Sequence, residues 1–139
     1  MDYAIGIALA LVVAGWAAMV GFDRDRAFYP TVLVVVALYY VLFAVMSGSL
    51  HAVLVESAVM TAFGALAVLG FKRRLWIVAA ALAGHGVFDA VHGSVVANPG
   101  VPVWWPAFCL AYDVTAAAAM IWLLRHRPAS AKELWQTGN

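Results

Sequence analysis

Five long apolar stretches, separated by short polar or turn-rich segments, dominate this chain. They cover about residues 3–21, 28–47, 50–70, 75–96 and 105–124. Each is close to the ~20 residues that an α-helix needs to cross the hydrocarbon core of a bilayer. The pattern predicts an all-α integral membrane protein, a bundle of five transmembrane helices in a single domain over residues 1–139, with a polar tail over 125–139.

Turn residues mark several ends of these helices. Pro30 falls in the first turn of the second helix, where a missing N–H is tolerated, and Gly48 between two serines predicts a tight turn. Gly70 stands where a glycine commonly caps a helix C-terminus. The segment 98–106 contains three prolines and a glycine, which give it a stiff, turn-rich backbone, and two tryptophans, which suit the headgroup zone. We expect it to anchor the chain at the membrane interface, with a lid over a site as the alternative.

The basic residues fix an expected orientation. If each stretch crosses once, all eight Lys and Arg residues lie on one side: Arg24, Arg26, Lys72, Arg73, Arg74, Arg125, Arg127 and Lys132. The positive-inside rule makes that side cytoplasmic. We therefore expect the N-terminus outside, the C-terminus in the cytoplasm and a multi-pass protein of a bacterial inner (plasma) membrane.

Composition narrows the classes of protein further. Apolar residues make up 66% of the chain and charged residues 11%, whereas charged residues are near a quarter of a soluble domain. The short basic clusters beside the membrane suit topology and lipid headgroups, so we expect no nucleic-acid partner. Cys109 is the single cysteine and has no partner for an intrachain disulfide.

Five ionisable side chains lie inside the predicted helices, where they are costly. They are Glu56 in the third, His85, Asp89 and His92 in the fourth, and Asp113 in the fifth. A charged residue at the bilayer centre costs about 2.5–3.5 kcal/mol on insertion scales, so such groups face the bundle interior and pair with one another. His85, Asp89 and His92 stand at i, i+4 and i+7, which places them on one helical stripe.

The depth of these residues predicts a pocket open to the outside. With a rise of about 1.5 Å per residue, His85 and Asp113 fall within about 2 Å of the midplane, whereas Asp89, Glu56 and His92 lie about 5–10 Å toward the outer side. Glu56 is near enough to the outer boundary to reach water. A structural role is the alternative for each residue, such as a buried hydrogen bond between Asp89 and an imidazole.

Four kinds of chemistry suit this set. His85, Asp89, His92 and Asp113 are ligand types for Zn²⁺ or another divalent first-row metal, which could activate water for hydrolysis. Asp89, Asp113 and Glu56 could instead be catalytic as acids and bases without a metal. A proton or ion relay for transport is the third possibility. A bis-histidine haem is weaker, because His85 and His92 share one stripe.

Two resemblances rest on these side chains. The His85-x-x-x-Asp89 pair with a carboxylate on a neighbouring helix resembles the sites of intramembrane sterol isomerases. The His/Asp metal set is similar to that of seven-helix membrane amidases such as alkaline ceramidases. Helix count, loop sequences and motif order differ from both, so the resemblance is confined to these few residues.

Together these features predict an intramembrane enzyme that acts on a lipid or other apolar small molecule by metal-assisted or acid–base chemistry. The alternatives are a proton- or metal-coupled transporter and a non-catalytic subunit of a larger membrane complex. Small residues of the first helix, among them Gly15 and Ala18, could form a homo-oligomer interface. Packing within the monomer is the default expectation for them.

Overall fold

The computed structural model describes residues 1–126 and is all-helical over that range. Its elements are α1 (Asp2–Val20), a 3₁₀ turn (Phe22–Arg24), α2 (Phe28–Met46), α3 (Leu50–Lys72), α4 (Leu75–Val95) and α5 (Trp105–His126). All five α-helices are long and apolar enough to cross a membrane. The five predicted helices are confirmed, and their ends lie within two residues of the prediction, apart from the C-terminal end of α5, which falls at the limit of the described residues. The predicted polar tail beyond His126, with Arg127 and Lys132, lies outside the described residues.

The helices pack as a curled row. α5 lies between α1 and α4, and α3 lies between α4 and α2. α2 also reaches α4, so the row curls and places α2, α3, α4 and α5 around a common interior. α1 packs mainly on α5, where Gly6 allows a close approach: a Cβ at that position would collide with the carbonyl oxygen of Phe108.

Local sequence explains most of the turns. Gly21 ends α1 with φ 85°, a left-handed conformation that glycine adopts without steric cost. Gly48, with φ 70°, turns the chain between α2 and α3. The Ser49 hydroxyl then caps α3 by accepting a hydrogen bond from the Ala52 N–H. Pro30 lies in the first turn of α2, as expected.

Gly70 does not cap α3, which corrects the sequence prediction. The helix continues to Lys72 and ends at Arg73. Gly70 instead faces α4, where an added Cβ would collide with Cγ2 of Val78. The glycine is needed for the close approach of two helices rather than for a left-handed turn.

The first and third loops meet at one end of the bundle. Arg26 of the first loop donates from Nε to the carbonyl oxygen of Phe71 at 2.6 Å and from Nη2 to that of Arg73 at 3.3 Å. These carbonyls belong to the C-terminus of α3, whose last C=O groups lack partners within the helix. We call this end, which carries Arg24, Arg26, Lys72, Arg73 and Arg74, the basic end.

An apolar core fills the half of the bundle nearest the basic end. It includes Leu33 of α2, Val78 and Leu82 of α4, and Met120 and Leu124 of α5. These side chains are no more than 2% exposed. This close-packed apolar core therefore separates the ionisable residues from the basic end.

Candidate functional site

Five ionisable residues of the helices face the interior of the bundle. Glu56, His85, Asp89, His92 and Asp113 are all at most 2% exposed. They come from α3, α4 and α5, and α2 adds Tyr40, which is 2% exposed. The structure confirms that the i, i+4, i+7 stripe of α4 is a single buried face.

His85, Asp89 and Asp113 form a central cluster. His85 Nδ1 and Asp113 Oδ2 share a hydrogen bond of 2.6 Å between α4 and α5. Asp89 lies one turn from His85 on α4, with Oδ2 3.4 Å from the same nitrogen. One imidazole nitrogen therefore faces two carboxyl groups.

Glu56, His92 and Asn98 form a second group, the rim cluster, nearer the loop 96–104. His92 Nε2 and Glu56 Oε1 share a hydrogen bond of 2.8 Å between α4 and α3. Asn98 Nδ2 donates to the same oxygen at 2.8 Å and to the backbone carbonyl of Tyr40 at 3.0 Å. The five predicted residues thus divide into two clusters, and the structure brings His92 to Glu56 instead of to Asp113.

Tyr40 touches both clusters. Its hydroxyl donates to Asp89 Oδ1 at 2.7 Å. Its ring stacks on His92, with centroids 4.1 Å apart and planes inclined by 28°. In the sequence, Tyr40 is one of two adjacent tyrosines in the second apolar stretch, and no signal there separates it from Tyr39.

Glu56 does not reach water, contrary to the sequence prediction. Its depth along α3 is near the loops, but it is 1% exposed because Asn98 folds over it. Asn98 also accepts a hydrogen bond from the Gly100 N–H on Oδ1. The stiff segment 98–106 therefore covers the rim cluster, and Asn98 is the polar residue that the sequence analysis passed over.

Charge balance distinguishes the two clusters. In the rim cluster one carboxyl faces one imidazole, so a single proton makes the pair neutral overall. The central cluster has two carboxyls and one imidazole, and its net charge is −1 even with His85 protonated. No Lys or Arg lies between residues 75 and 124 to compensate. Because an uncompensated buried charge is costly, the central cluster must retain an extra proton or bind a cation.

The central cluster could hold a metal ion. One potential ligand atom from each of His85, Asp89 and Asp113 lies within 4.8 Å of the other two. Asp89 Oδ2 and Asp113 Oδ1 are buried and have no hydrogen-bond partner within residues 1–126. A divalent cation with neutral His85 and two carboxylates gives zero net charge. Three protein ligands with an open position are also the arrangement of catalytic zinc sites.

Two cavities approach the clusters from different directions. One of about 560 Å³ lies under the proline-rich segment and is lined by His92, Asn98 and Pro102 among others. The other is a groove of about 640 Å³ that opens sideways between α2 and α5. Cys109 lines this groove one helical turn before Asp113, so the groove ends beside the central cluster.

No family model matches this chain, and no curated protein or solved structure matches it.

Proposed function

We propose that this protein is an integral membrane enzyme whose central cluster binds one divalent first-row cation, such as Zn²⁺, and which acts on a lipid-like or other apolar small molecule. The observation that carries the proposal is the unbalanced pair of carboxyls on one imidazole, buried beside an apolar groove. Its oxygens without partners are where a cation would be held. A cation there would polarise a substrate carbonyl as a Lewis acid.

The orientation proposed for the bundle follows from its basic end. Arg26 joins the first loop to the third, which supports placing their Lys and Arg residues on one side of a membrane. That side is cytoplasmic by the positive-inside rule, so the N-terminus and the segment 98–106 face outward. The rim cluster and the cavity above it then lie toward the outer surface.

A metal-free acid–base enzyme is the second candidate, and one distance favours it. His85 Nδ1 and Asp113 Oδ2 are 2.6 Å apart. Two ligands of a tetrahedral zinc ion at about 2.0–2.1 Å would be roughly 3.3 Å apart. If Nδ1 is the ligand, the pair must separate by roughly 0.7 Å to admit the ion, whereas a shared proton fits the observed distance directly.

Metal analysis of paired variants separates these candidates. Protein purified without chelator should carry one equivalent of divalent metal, and Asp113→Asn should lose it. Glu56→Gln is the matched control, because it makes the same carboxyl-to-amide change at an equally buried site in the rim cluster, and it should retain the metal. Metal-free wild-type protein that also gains no thermal stability from added Zn²⁺ would rule out the metal site and leave acid–base chemistry.

A further inference from the structure

The groove between α2 and α5 has two chemically different halves. Near the segment 98–106 its walls are aromatic, with Tyr39, Trp105, Phe108 and Tyr112. Next to this aromatic half the wall follows Val36, Val35 and Val32 down α2. Beyond these valines, at the basic end, it meets Phe28, Phe22 and Asp25. From Tyr39 to Phe28 the helix runs about 16 Å. The groove can therefore hold a molecule with two unlike ends.

The aromatic half forms a continuous set of ring contacts. Trp105 lies 5.0 Å from Tyr39 and 5.3 Å from Phe108, and Phe108 stacks on Tyr112 at 6.2 Å. Aromatic pairs prefer such offset and edge-on contacts, so another flat ring can add to the set. Tyr39 and Tyr112 also have hydroxyl groups, which can donate to a carbonyl oxygen on the edge of that ring.

Charge restricts the ligand further. No acidic or basic side chain lines the aromatic half, and the one carboxyl-bearing residue of the lining, Asp25, lies on the opposite side, beside the basic end. A phosphate headgroup in the aromatic half would therefore be an unpaired negative charge in apolar surroundings. A neutral head meets no such penalty.

The groove reaches the proposed active site at Cys109. Cys109 lies on its floor and is 1% exposed. Cys109 stands one helical turn before Asp113 on α5, so its side chain lies between the groove and the central cluster. A head held among the four aromatic residues is next to the groups that would react with it.

We propose that the groove binds a neutral lipid that has a flat, carbonyl-bearing ring as its head and an aliphatic tail. The ring lies among Tyr39, Trp105, Phe108 and Tyr112, and the tail lies along α2 toward the basic end. The inference rests on the proposed function for its chemistry, since it names the substrate class of the same site. The sideways opening lets such a molecule pass from the lipid phase without crossing water.

Binding can be measured with a ring-headed probe in nanodiscs. Radiolabelled decylubiquinone, a neutral quinone ring with an alkyl tail, should bind saturably at one site per protein above empty nanodiscs. Decanol has a tail of the same length without the ring, and decyl phosphate adds a charged head. Each should displace the probe at least tenfold less well than unlabelled decylubiquinone. Equal displacement by decanol, or the absence of saturable binding, overturns the proposal.

Two matched pairs of variants locate the site. Val35→Trp should block the groove and weaken binding at least tenfold. Leu54→Trp, at a position of α3 that is 63% exposed and outside the groove, should not weaken it. Trp105→Leu removes an aromatic wall and should weaken binding, whereas Trp122→Leu, at a position 60% exposed, should not. If both members of each pair behave alike, the probe binds elsewhere.

The same preparations distinguish this inference from the proposed function. Asp113→Asn should lose the metal but keep the probe within about threefold of the wild-type affinity, because Cys109 separates the two sites. Wild-type protein without metal that still binds the probe would refute the metal site and leave the groove assignment intact. Loss of probe binding in Asp113→Asn would overturn the groove assignment instead.

Discussion

Tyr40 and Asp89 join α2 to α4 through a fully buried hydrogen bond of 2.7 Å from the phenol to Oδ1. The other Asp89 oxygen, Oδ2, makes no hydrogen bond within residues 1–126 and lies 3.4 Å from His85 Nδ1. Tyr40 thus holds one oxygen of Asp89 and leaves the other directed at the centre of the cluster. This contact positions the carboxyl that the proposed cation needs.

We therefore expect Tyr40→Phe to destabilise the protein and to weaken metal binding. Removing the hydroxyl leaves Asp89 Oδ1 buried without a partner, which should lower the free energy of unfolding by about 1–2 kcal/mol. Tyr39→Phe is the control one residue away, at a position 39% exposed, and should change it by less than about 0.5 kcal/mol. Unfolding in mixed micelles measures the free energy of unfolding of both variants. Equal effects would show that the buried hydrogen bond is not what stabilises the interface.

Periodicity predicted much of this architecture. Length and apolarity defined five helices, and the spacing of His85, Asp89 and His92 placed them on one face, because a helix of 3.6 residues per turn leaves no alternative. The cost of charge in lipid predicted that Asp113 would face the bundle interior and pair with another ionisable group. Its partner proved to be His85.

The division into two clusters could not be predicted from the sequence. It depends on how the helices are rotated against one another, which sets Glu56 opposite His92 and Asp113 opposite His85. Asn98 was missed because it stands in a loop whose prolines suggested only stiffness. Its side chain turns inward beside Gly100, which packs so closely on α2 that a Cβ there would collide with the carbonyl oxygen of Phe43.

Close packing of α3 on α4 predicts opposite effects for two glycines of α3. Gly70→Ala should lower the free energy of unfolding by about 1–3 kcal/mol, since its methyl group collides with Val78. Gly64→Ala meets no atom within 4 Å and should be neutral or stabilise the helix by up to about 1 kcal/mol. Thermal unfolding in detergent compares them, and a stable Gly70→Ala protein would contradict the close approach.

Arg26 should matter more than its neighbour Arg24. Arg26→Ala removes the donors that satisfy the carbonyls at the end of α3, and we expect a loss of about 1 kcal/mol after allowing for solvent at this site. Arg24→Ala removes the same charge from the same loop without those contacts and should have a smaller effect. Arg26→Lys should rescue only partly, because an ammonium lacks the planar fork of donors. A full rescue would show that charge alone is at work.

The proposed orientation can be tested with single cysteines in a Cys109→Ala background. Val103 is 100% exposed in the segment 98–106, so Val103→Cys should react with a membrane-impermeant thiol reagent added to intact cells. Lys72→Cys at the basic end should react only after the cells are opened. The reverse pattern would place the rim cluster on the cytoplasmic side and invert the topology.

The apolar core near the basic end determines whether the bundle has a path for an ion. Between the central cluster and the basic end, the interior is filled by residues such as Leu33, Val78, Leu82 and Met120. Thr115 is a polar residue in this part of α5, and its hydroxyl donates to the Ala111 carbonyl at 2.7 Å. Apart from Tyr29, the buried side chains of this core are apolar, so the core lacks the row of polar groups that would replace the hydration shell of an ion along a permeation path.

We therefore expect no ion flux from the protein alone. Reconstituted into liposomes with a pH or Zn²⁺ gradient, it should show no flux above that of empty vesicles, because an ion bound at His85, Asp89 and Asp113 meets a close-packed apolar core on the way to the basic end. Pyranine fluorescence for protons and a Zn²⁺-sensitive dye inside the vesicles provide the measurement, with an ionophore added at the end to show that each gradient was intact. Flux that Asp113→Asn abolishes and Glu56→Gln preserves would establish transport through the central cluster. It would also require a second conformation in which α4 and α5 separate along Val78, Leu82 and Met120.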